Sequence, residues 1–376
     1  MSVSAARIDL DAIRSNVATL KRSAGDAAVM AVVKADGYGH GMVQSATAAL
    51  DAGAGWLGVA MADEALELRR SGITAPVLAW LLGPGDDWVS VVASGVDVGV
   101  YATWALRDAA AAAQGAGRPA RVHLKVDSGL GRGGAQPADW PELVAAAAKA
   151  QADGTVEVVG IWSHLAYADQ PGNPTIEAQR IAFEDALEVA TQAGVEPSVR
   201  HLANSAATLR LPQCHYDLVR PGVAVYGLSP GPDVGVASEL GLTPAMSLTT
   251  QVALTKRAPA GHGVSYGHQY LTERETTLAL VPLGYADGVP RHLTNLGEVA
   301  VGGRRYRIAG RVCMDQFVLD VGDDAVSVGD EVLLFGSGSS GEPTADDWAA
   351  ALGTINYEIV SGVGARVPRV YEGSRT

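Results

Sequence analysis

Short apolar runs alternate with longer amphipathic segments through roughly the first 240 residues of the chain. Each run is bounded by Gly, Pro or polar residues, a pattern typical of strands buried on both faces. Eight predicted strands cover residues 27–33, 56–59, 77–81, 96–100, 121–126, 156–163, 199–202 and 216–220. The clearest helical segments between them, rich in Ala, Leu, Glu and Arg, are 42–50, 61–70, 104–114, 141–152 and 174–193. About eight βα units predict a parallel (β/α)8 barrel over residues 10–240.

The pattern changes after residue 240, where segments rich in Thr, Val and Gly follow one another closely. Predicted strands cover 245–256, 276–281, 297–301, 318–321 and 331–335, and one short helix covers 344–352. Turn residues between neighbouring strands favour a mostly antiparallel β domain over residues 241–376. Residues 1–9 carry one further strand, which we expect to pack on this domain. The predicted fold class is therefore α/β, a parallel (β/α)8 barrel followed by a mostly antiparallel β domain.

Composition narrows the functional classes. The chain has 376 residues, of which 48% are hydrophobic and 18% charged, as expected for a soluble globular protein. Its net charge of −13, without a long basic run, argues against nucleic acid or an anionic membrane as partner. No apolar run approaches the ~18 residues of a membrane span, and the first residues lack a signal-peptide pattern. Cys214 and Cys313 form neither a disulfide framework nor a metal knuckle, so we expect a cytoplasmic protein and no metal site.

Polar side chains follow the predicted barrel strands where those strands end. Lys34 follows the first strand, His164 the sixth and Arg220 the eighth, while Ser205 and Gly222 lie in loops after the last two. The carboxyl ends of barrel strands carry the active site, and the loops after the last two strands often bind phosphate. Taken singly, these residues have structural explanations, such as a lysine that reaches from a core strand to solvent. Together they favour pyridoxal 5'-phosphate, a phosphorylated aldehyde that a desolvated lysine can bind as a Schiff base.

Eight motifs in order along the chain carry a family resemblance. They are AVVKADGYGHG at 31–41, KVDSGLGR at 125–132, RHLANS at 200–205, DLVRPG at 217–222, GVSYG at 263–267, GYADG at 284–288, RVCMD at 311–315 and TINYE at 354–358. With these motifs the chain resembles the alanine racemase family over both predicted domains. The resemblance implies interconversion of L- and D-alanine by two-base proton transfer at Cα of a pyridoxal phosphate aldimine. It also implies a supply of D-alanine for the bacterial cell wall.

The resemblance also implies residue roles. Lys34 matches the residue that holds the cofactor and acts as one base, and Tyr266 matches the second base, which reaches the active site of the partner in a homodimer with shared sites. His164, Arg220, Arg132 and Lys125 match supporting residues; Arg220 faces the pyridine nitrogen, and Lys125 matches a lysine that is carbamylated in many members. The cofactor-binding set that the resemblance implies is Lys34, Tyr38, Asn204, Ser205, Arg220, Gly222, Val223 and Tyr357.

The remaining implied roles concern the substrate. Arg132 and Met314 match the residues that contact the substrate carboxylate. Tyr285, with Tyr357, matches a narrow entrance that limits substrate size. Asp169, Arg291 and Arg311 match an outer charged vestibule around this entrance.

Three alternatives stay open at this stage. The nearest is a racemase of broader specificity or one for serine, since the sequence does not set the size of the pocket. An amino-acid decarboxylase of similar architecture is disfavoured because Arg220 stands where that chemistry favours an acidic partner. A non-catalytic pyridoxal phosphate carrier is disfavoured because such modules match only the barrel half.

Overall fold

A parallel eight-stranded barrel forms the first part of the computed structural model, which describes residues 3–373. Its strands are Ala28–Val32, Trp56–Val59, Val77–Ala79, Asp97–Val100, Ala120–Lys125, Val156–Trp162, Val199–His201 and Leu218–Val219. Neighbours in sequence are neighbours in the sheet, and the last strand pairs with the first. The Asp217 N–H donates to the Arg200 carbonyl and the Arg220 N–H to the Ala203 carbonyl, which joins the seventh strand to the eighth. The predicted (β/α)8 barrel is confirmed, with strand ends within about two residues of those predicted.

Helices surround the barrel strands. They are Leu10–Ala24, Met42–Asp51, Ala62–Arg70, Trp88–Ala93, Thr103–Ala116, Trp140–Ala152, Pro174–Gln192 and Ser205–Arg210. In the first of these, Ile13, Val17 and Leu20 recur at helical spacing and are fully buried. The Asp9 carboxylate caps it by accepting from the Asp11 and Ala12 N–H groups. This helix, Trp88–Ala93 and Ser205–Arg210 were not among the segments predicted, the last two because only six residues carry the pattern in each.

The barrel interior and its outer layer are packed by alternate residues of the same strands. Met30, Leu78 and Leu218 form a buried cluster of their own against partly buried tryptophans. Val29 and Ala31, which point the other way, belong to the main core with the surrounding helices. A strand buried on both faces explains the continuous apolar runs in the sequence.

A mostly antiparallel β domain follows the barrel, as predicted. Its largest sheet has the strand order Arg304–Arg307, Glu298–Val301, Glu331–Phe335, Met246–Gln251, Ala5–Asp9 and Arg369–Glu372. The chain's first strand thus pairs antiparallel with Met246–Gln251 and parallel with the chain's last strand. A second sheet contains Leu254–Ala258, Thr276–Val281 and Phe317–Gly322, and Gly263–Val264 pairs with Tyr270–Leu271. Two helices, Ala345–Leu352 and Asn356–Ser361, complete the domain.

The predicted domain limits of 10–240 and 241–376 stay a prediction. Residues 374–376 of the second domain, and residues 1–2 of the segment 1–9 that was predicted to carry a strand, lie outside the described part of the chain. Between residues 3 and 373, no helix is both long and apolar enough to cross a membrane.

Candidate active site

A cavity of about 850 Å³ opens at the carboxyl ends of the barrel strands. This volume is in the range of pockets that hold a small ligand. Twelve of the residues singled out in the sequence line it: Lys34, Tyr38, Lys125, Arg132, His164, Asp169, Asn204, Ser205, Arg220, Gly222, Val223 and Tyr357. The barrel, with Tyr357 from the β domain, therefore brings together Lys34 and the supporting and cofactor-binding residues that the resemblance implied.

Lys34 begins a left-handed helical turn, Lys34–Tyr38, two residues after the first barrel strand ends. Ala35 has φ 53° and ψ 51°, and Asp36 has φ 51° and ψ 47°. Left-handed geometry costs about 1–2 kcal/mol for each non-glycine residue. Strain of this kind persists only where surrounding contacts hold it, and it concentrates at functional sites. The sequence indicated a glycine-rich turn here but not its handedness.

Two carboxylates hold this turn. Glu64 accepts from the Ala35 N–H at 2.6 Å through one oxygen, and from the Ala60 and Met61 N–H groups at 2.9 and 3.0 Å through the other. Asp36 accepts from the Met42 N–H at 2.8 Å. Glu64 thus ties the residue after Lys34 to the start of the Ala62–Arg70 helix. The sequence analysis missed it, because a glutamate near a helix start is also typical of a simple cap.

Positive charge dominates the cavity. Lys34, Lys125, Arg132 and Arg220 line it, and Asp169 is the one carboxylate among the lining residues. Burial, followed by the charge of Arg132, lowers the pKa of Lys34. Burial and then the charges of Arg220 and Arg132 lower the pKa of Lys125 to about 8. Both amines therefore have a larger neutral fraction near pH 7 than a lysine in water, and the cavity favours an anion.

Arg220 is buried and held by carbonyls and imidazoles. Its Nη1 donates to the His201 carbonyl at 2.8 Å and to His201 Nδ1 at 3.0 Å. Its Nη2 donates to the Ser163 carbonyl at 2.8 Å and lies 3.3 Å from His164 Nδ1. Burial lowers the pKa of Arg220 to about 9, which leaves it cationic at neutral pH.

His164 is neutral in this setting. Burial, followed by the charge of Arg220, holds the pKa of His164 well below its usual range. Because a guanidinium can only donate, the Nδ1 of His164 accepts and the ring proton is on Nε2.

A small cradle lies where the last two barrel strands end. Ser205 Oγ accepts from the Gly222 N–H at 2.8 Å and lies 3.4 Å from the Ala224 nitrogen. A Cβ on Gly222 would lie only 2.3 Å from the Tyr38 hydroxyl oxygen, so a side chain there would fill the cradle. Asn204 sets the position of Ser205 by capping the helix that starts there, with its Oδ1 accepting from the Ala207 N–H.

Two phenols close the cradle. The rings of Tyr38 and Tyr357 have centroids 6.1 Å apart, and both residues line the cavity. Burial raises the pKa of each phenol, so each stays a neutral hydrogen-bond donor. Two hydroxyl donors beside a serine and a glycine, within a cationic cavity, suit a phosphate group. With the amine of Lys34 lining the same cavity, the residues present fit a phosphorylated pyridine aldehyde.

Five residues named in the sequence analysis do not line the cavity of their own chain within the described residues: Tyr266, Tyr285, Arg291, Arg311 and Met314. Four of them, Tyr266, Tyr285, Arg311 and Met314, lie close together on one face of the β domain. Tyr266 is 71% exposed, and Tyr285 and Met314 are also exposed. The Ser265 hydroxyl donates to the Arg311 carbonyl at 2.7 Å, and the Ala286 N–H donates to the Met314 carbonyl at 3.0 Å. Arg291 is an exposed residue of the 3-10 turn Arg291–Leu293.

Ser265 holds Tyr266 outward. Its φ of 60° and ψ of −171° lie in a region that is almost confined to glycine. The strain next to an exposed aromatic indicates a functional constraint. Ser265 lies within the motif at 263–267, but the sequence analysis gave it no role. Between residues 3 and 373, no group of three or more His, Cys, Asp or Glu residues is arranged to hold a metal ion.

Comparison with known proteins accords with this site. The family model "Alanine racemase, N-terminal domain" matches residues 8–230, and "Alanine racemase, C-terminal domain" matches residues 245–371. The alanine racemase of Frankia casuarinae is 66% identical over 368 residues, which cover 98% of this chain and 96% of that protein.

Solved structures agree. The crystal structure of alanine racemase from D-cycloserine-producing Streptomyces lavendulae is 56% identical with a TM-score of 0.98, covering 100% of this chain and 98% of that one. The alanine racemase from Streptomyces coelicolor A3(2) is 54% identical with a TM-score of 0.97, covering 99% and 98%. This chain therefore belongs to the alanine racemase family, whose members are isomerases.

Proposed function

We propose that this chain interconverts L-alanine and D-alanine with pyridoxal 5'-phosphate, using two bases contributed by two copies of the chain. One observation carries the proposal. Lys34, Arg220 and the cradle of Ser205 and Gly222 meet in a single cationic cavity at the rim of a (β/α)8 barrel. The name of the relatives supports the reaction.

The residues that would hold the cofactor divide by its chemical groups. Lys34 would bind its aldehyde carbon. Ser205 and Gly222, with the hydroxyls of Tyr38 and Tyr357, would bind its phosphate, beside Asn204 and Val223. When bound, pyridoxal phosphate supplies an electron sink that stabilises negative charge at Cα of the amino acid.

Arg220 would limit how strong that sink is. A guanidinium that stays charged at neutral pH offers a hydrogen bond to the ring nitrogen but does not transfer its proton. A weaker sink keeps the charge at Cα, which favours return of a proton there over transamination. An acidic partner at this position would favour the other outcome.

Lys34 would take or return the proton on one face of Cα. Its lowered pKa supports this, since a neutral amine is needed to accept a proton. Tyr266 from a second copy of the chain would act on the opposite face. Its outward position on the β domain, held by Ser265, supports a role in another copy's cavity. The enzyme would therefore be a homodimer with shared active sites.

Arg132 would bind the substrate carboxylate inside the cavity, and the Met314 backbone of the second copy would supply another contact. Tyr285 of that copy, with Tyr357, would narrow the entrance. Asp169, Arg291 and Arg311 would form its charged rim and attract amino acids. The exposure of Tyr285 and Met314 supports these roles.

Lys125 would carry a carbamate. An amine with a pKa of about 8, near Arg220 and Arg132, can react with carbon dioxide, and the anion formed would balance both arginines. Mass spectrometry under native conditions should show a carbon dioxide adduct that acid removes. An unmodified Lys125 in a high-resolution map of the enzyme would sink this part of the proposal.

The product D-alanine would serve the bacterial cell wall, and the enzyme would act in the cytoplasm, where the two free cysteines stay reduced. The bacterial relatives support the first point. The buried position of Cys214 and the absence of a described disulfide partner for Cys313 support the second.

The test uses the purified protein, with Lys34→Ala as its control. We expect a yellow near-visible absorption and decay of the optical rotation of L-alanine to zero, both lost in the control. Rotation lost with L-serine and not with L-alanine would favour the serine alternative. A protein that stays colourless and inert after pyridoxal phosphate is added would refute the proposal.

A further inference from the structure

A line of buried polar side chains crosses the barrel interior beneath the candidate active site. Asp97, His123, His201 and Arg220 come from the fourth, fifth, seventh and eighth strands or the residue just after. Each is at least 95% buried. Buried charges and imidazoles destabilise a fold unless they are hydrogen-bonded, so the contacts among them need an account.

The four side chains form one continuous hydrogen-bonded chain. Arg220 Nη1 lies 3.0 Å from His201 Nδ1, and His201 Nε2 lies 2.8 Å from His123 Nδ1. His123 Nε2 lies 3.3 Å from Asp97 Oδ2, and Arg121 Nε donates to Asp97 Oδ1 at 2.7 Å. The chain therefore runs from the active-site arginine to a carboxylate that is paired at the outer end with Arg121.

The chemistry of the two ends sets every proton in between. Arg220 can only donate, so His201 Nδ1 accepts and the His201 proton is on Nε2. That proton is donated to His123 Nδ1, so the His123 proton is on Nε2 and points to Asp97. Both imidazoles are then neutral and all donors point the same way. This direction requires a hydrogen-bond acceptor at the end, and an ionised carboxylate is a stronger acceptor than a neutral group.

Asp97 meets that requirement. Burial alone would raise the pKa of Asp97, but its hydrogen bonds to His123 and Arg121 outweigh burial and lower it. Arg220 has no carboxylate of its own within ion-pair distance among the described residues. Asp97 is thus the anion to which its charge is linked, through two polarised rings.

Packing keeps the two rings in line. The indole of Trp162 stacks on His201 at 5.6 Å between centroids, with planes only 6° apart. The ring of Trp56 meets His123 edge-on at 5.5 Å. A Cβ on Gly160 would lie 2.3 Å from His123 Nδ1, so only glycine leaves room for the ring.

We propose that Asp97, His123 and His201 are positioning residues that fix the orientation of Arg220 through one directional chain of hydrogen bonds. The inference rests on the proposed placement of Arg220 against the cofactor's ring nitrogen. Nη1 is committed to His201, and the guanidinium cannot rotate without losing these bonds and leaving His201 Nδ1 without a donor. The arginine therefore presents a fixed N–H to the cavity.

The first test reads the protons directly. Nitrogen-15 NMR of the holoenzyme labelled at histidine, with His123→Gln and His201→Gln used only to assign signals, should show both rings neutral and protonated at Nε2. A ring protonated at Nδ1, or at both nitrogens, in His123 or His201 would overturn the inference. This measurement does not depend on racemase activity, and its result is read from the unmodified enzyme.

The second test compares Asp97→Asn with Glu157→Gln. Both replace a carboxylate bonded to Arg121 by its amide, but Glu157 is exposed and outside the chain of hydrogen bonds. In Asp97→Asn the new amide must turn its NH₂ group toward either His123 or Arg121, which sets two donors against each other. We expect the dissociation constant for pyridoxal phosphate to rise about ten- to hundredfold in Asp97→Asn and to change less than about twofold in Glu157→Gln.

Wild-type affinity in a folded Asp97→Asn variant would overturn the inference. Equal losses of affinity in the two variants would also overturn it, because they would indicate a general charge effect. If Asp97→Asn does not fold, the ring protons of the unmodified enzyme decide. A wild-type protein that binds no pyridoxal phosphate would refute the proposed function instead, and the two failures are therefore distinguishable.

Discussion

Substitution of Gly222 by alanine tests the phosphate cradle. The glycine follows the last barrel strand closely, with φ −111° and ψ −89°, outside the left-handed region that favours glycine. Alanine is therefore disfavoured at this position by lack of space and not by the backbone conformation. Its Cβ would lie 2.3 Å from the Tyr38 hydroxyl oxygen and 3.0 Å from the ring carbon that bears it.

The size of the effect follows from the distance. To reach an ordinary contact of 3.4 Å, the Tyr38 hydroxyl must retreat by about 1.1 Å from the glycine. The ring has little room to do so, since Tyr226 lies 5.0 Å away and Tyr357 6.1 Å away between centroids. Overpacking of this kind costs about 1–3 kcal/mol. If Tyr38 binds phosphate, the same energy appears as roughly a 5- to 150-fold loss of cofactor affinity.

The assay is equilibrium dialysis of pyridoxal phosphate against the apoenzyme, read by near-visible absorption. Gly55→Ala is the matched control, because its Cβ meets nothing within 4 Å. We expect unchanged affinity in Gly55→Ala and the loss above in Gly222→Ala, with both variants folded by circular dichroism. Wild-type affinity in Gly222→Ala would show that Tyr38 and Gly222 do not form the phosphate cradle.

Three further predictions address other parts of the site. Mixing inactive Lys34→Ala chains with inactive Tyr266→Ala chains should restore activity, because each mixed dimer has one intact shared site; no recovery after proven subunit exchange would refute shared sites. Glu64→Gln should weaken cofactor retention on dialysis roughly tenfold, since an amide cannot accept on both sides as the carboxylate does, while the surface variant Glu67→Gln should retain it fully. Burial lowers the pKa of His40 to about 4, so the unfolded chain binds the extra proton first as pH falls from 6.5 toward 4. Between these pH values His40 should lower the free energy of unfolding by about 1.4 kcal/mol per pH unit. Urea denaturation at several pH values should show that the free energy of unfolding depends less steeply on pH in His40→Gln, by that amount; an equally steep dependence would contradict the argument.

Local patterns were enough for much of the architecture. Residues 27–33 are a continuous apolar run because strands of a parallel barrel are buried on both faces, and the structure has a strand there. Residues 156–163 also form a strand over most of their length, although the run is interrupted by the exposed Glu157. The ends of the predicted helices also lie within about two residues of those observed, but Trp88–Ala93 and Ser205–Arg210 were missed because six residues carry too weak a periodicity. The parallel pairing of Ala5–Asp9 with Arg369–Glu372 lies beyond any local pattern, since the partners are separated by most of the chain.

The site shows the same division. Lys34, His164 and Arg220 could be predicted because strand ends mark the active-site rim of a barrel. Glu64 and Asp97 could not be predicted, since each acts through a hydrogen bond to a residue more than 20 positions away, Ala35 and His123 respectively. The exposed setting of Tyr266 also depends on tertiary structure, because the strained Ser265 is held by a hydrogen bond to the Arg311 carbonyl.

The sequence by itself determined which residue types lie at the strand ends, and with them the family and the chemistry on offer. Only the tertiary structure decided how those groups are oriented. His123 and His201 show why: their residue type permits three protonation states, and the contacts with Arg220 and Asp97 select one. Hydrogen-bond direction depends on distances of about 3 Å between side chains far apart in the chain, and no local pattern encodes it.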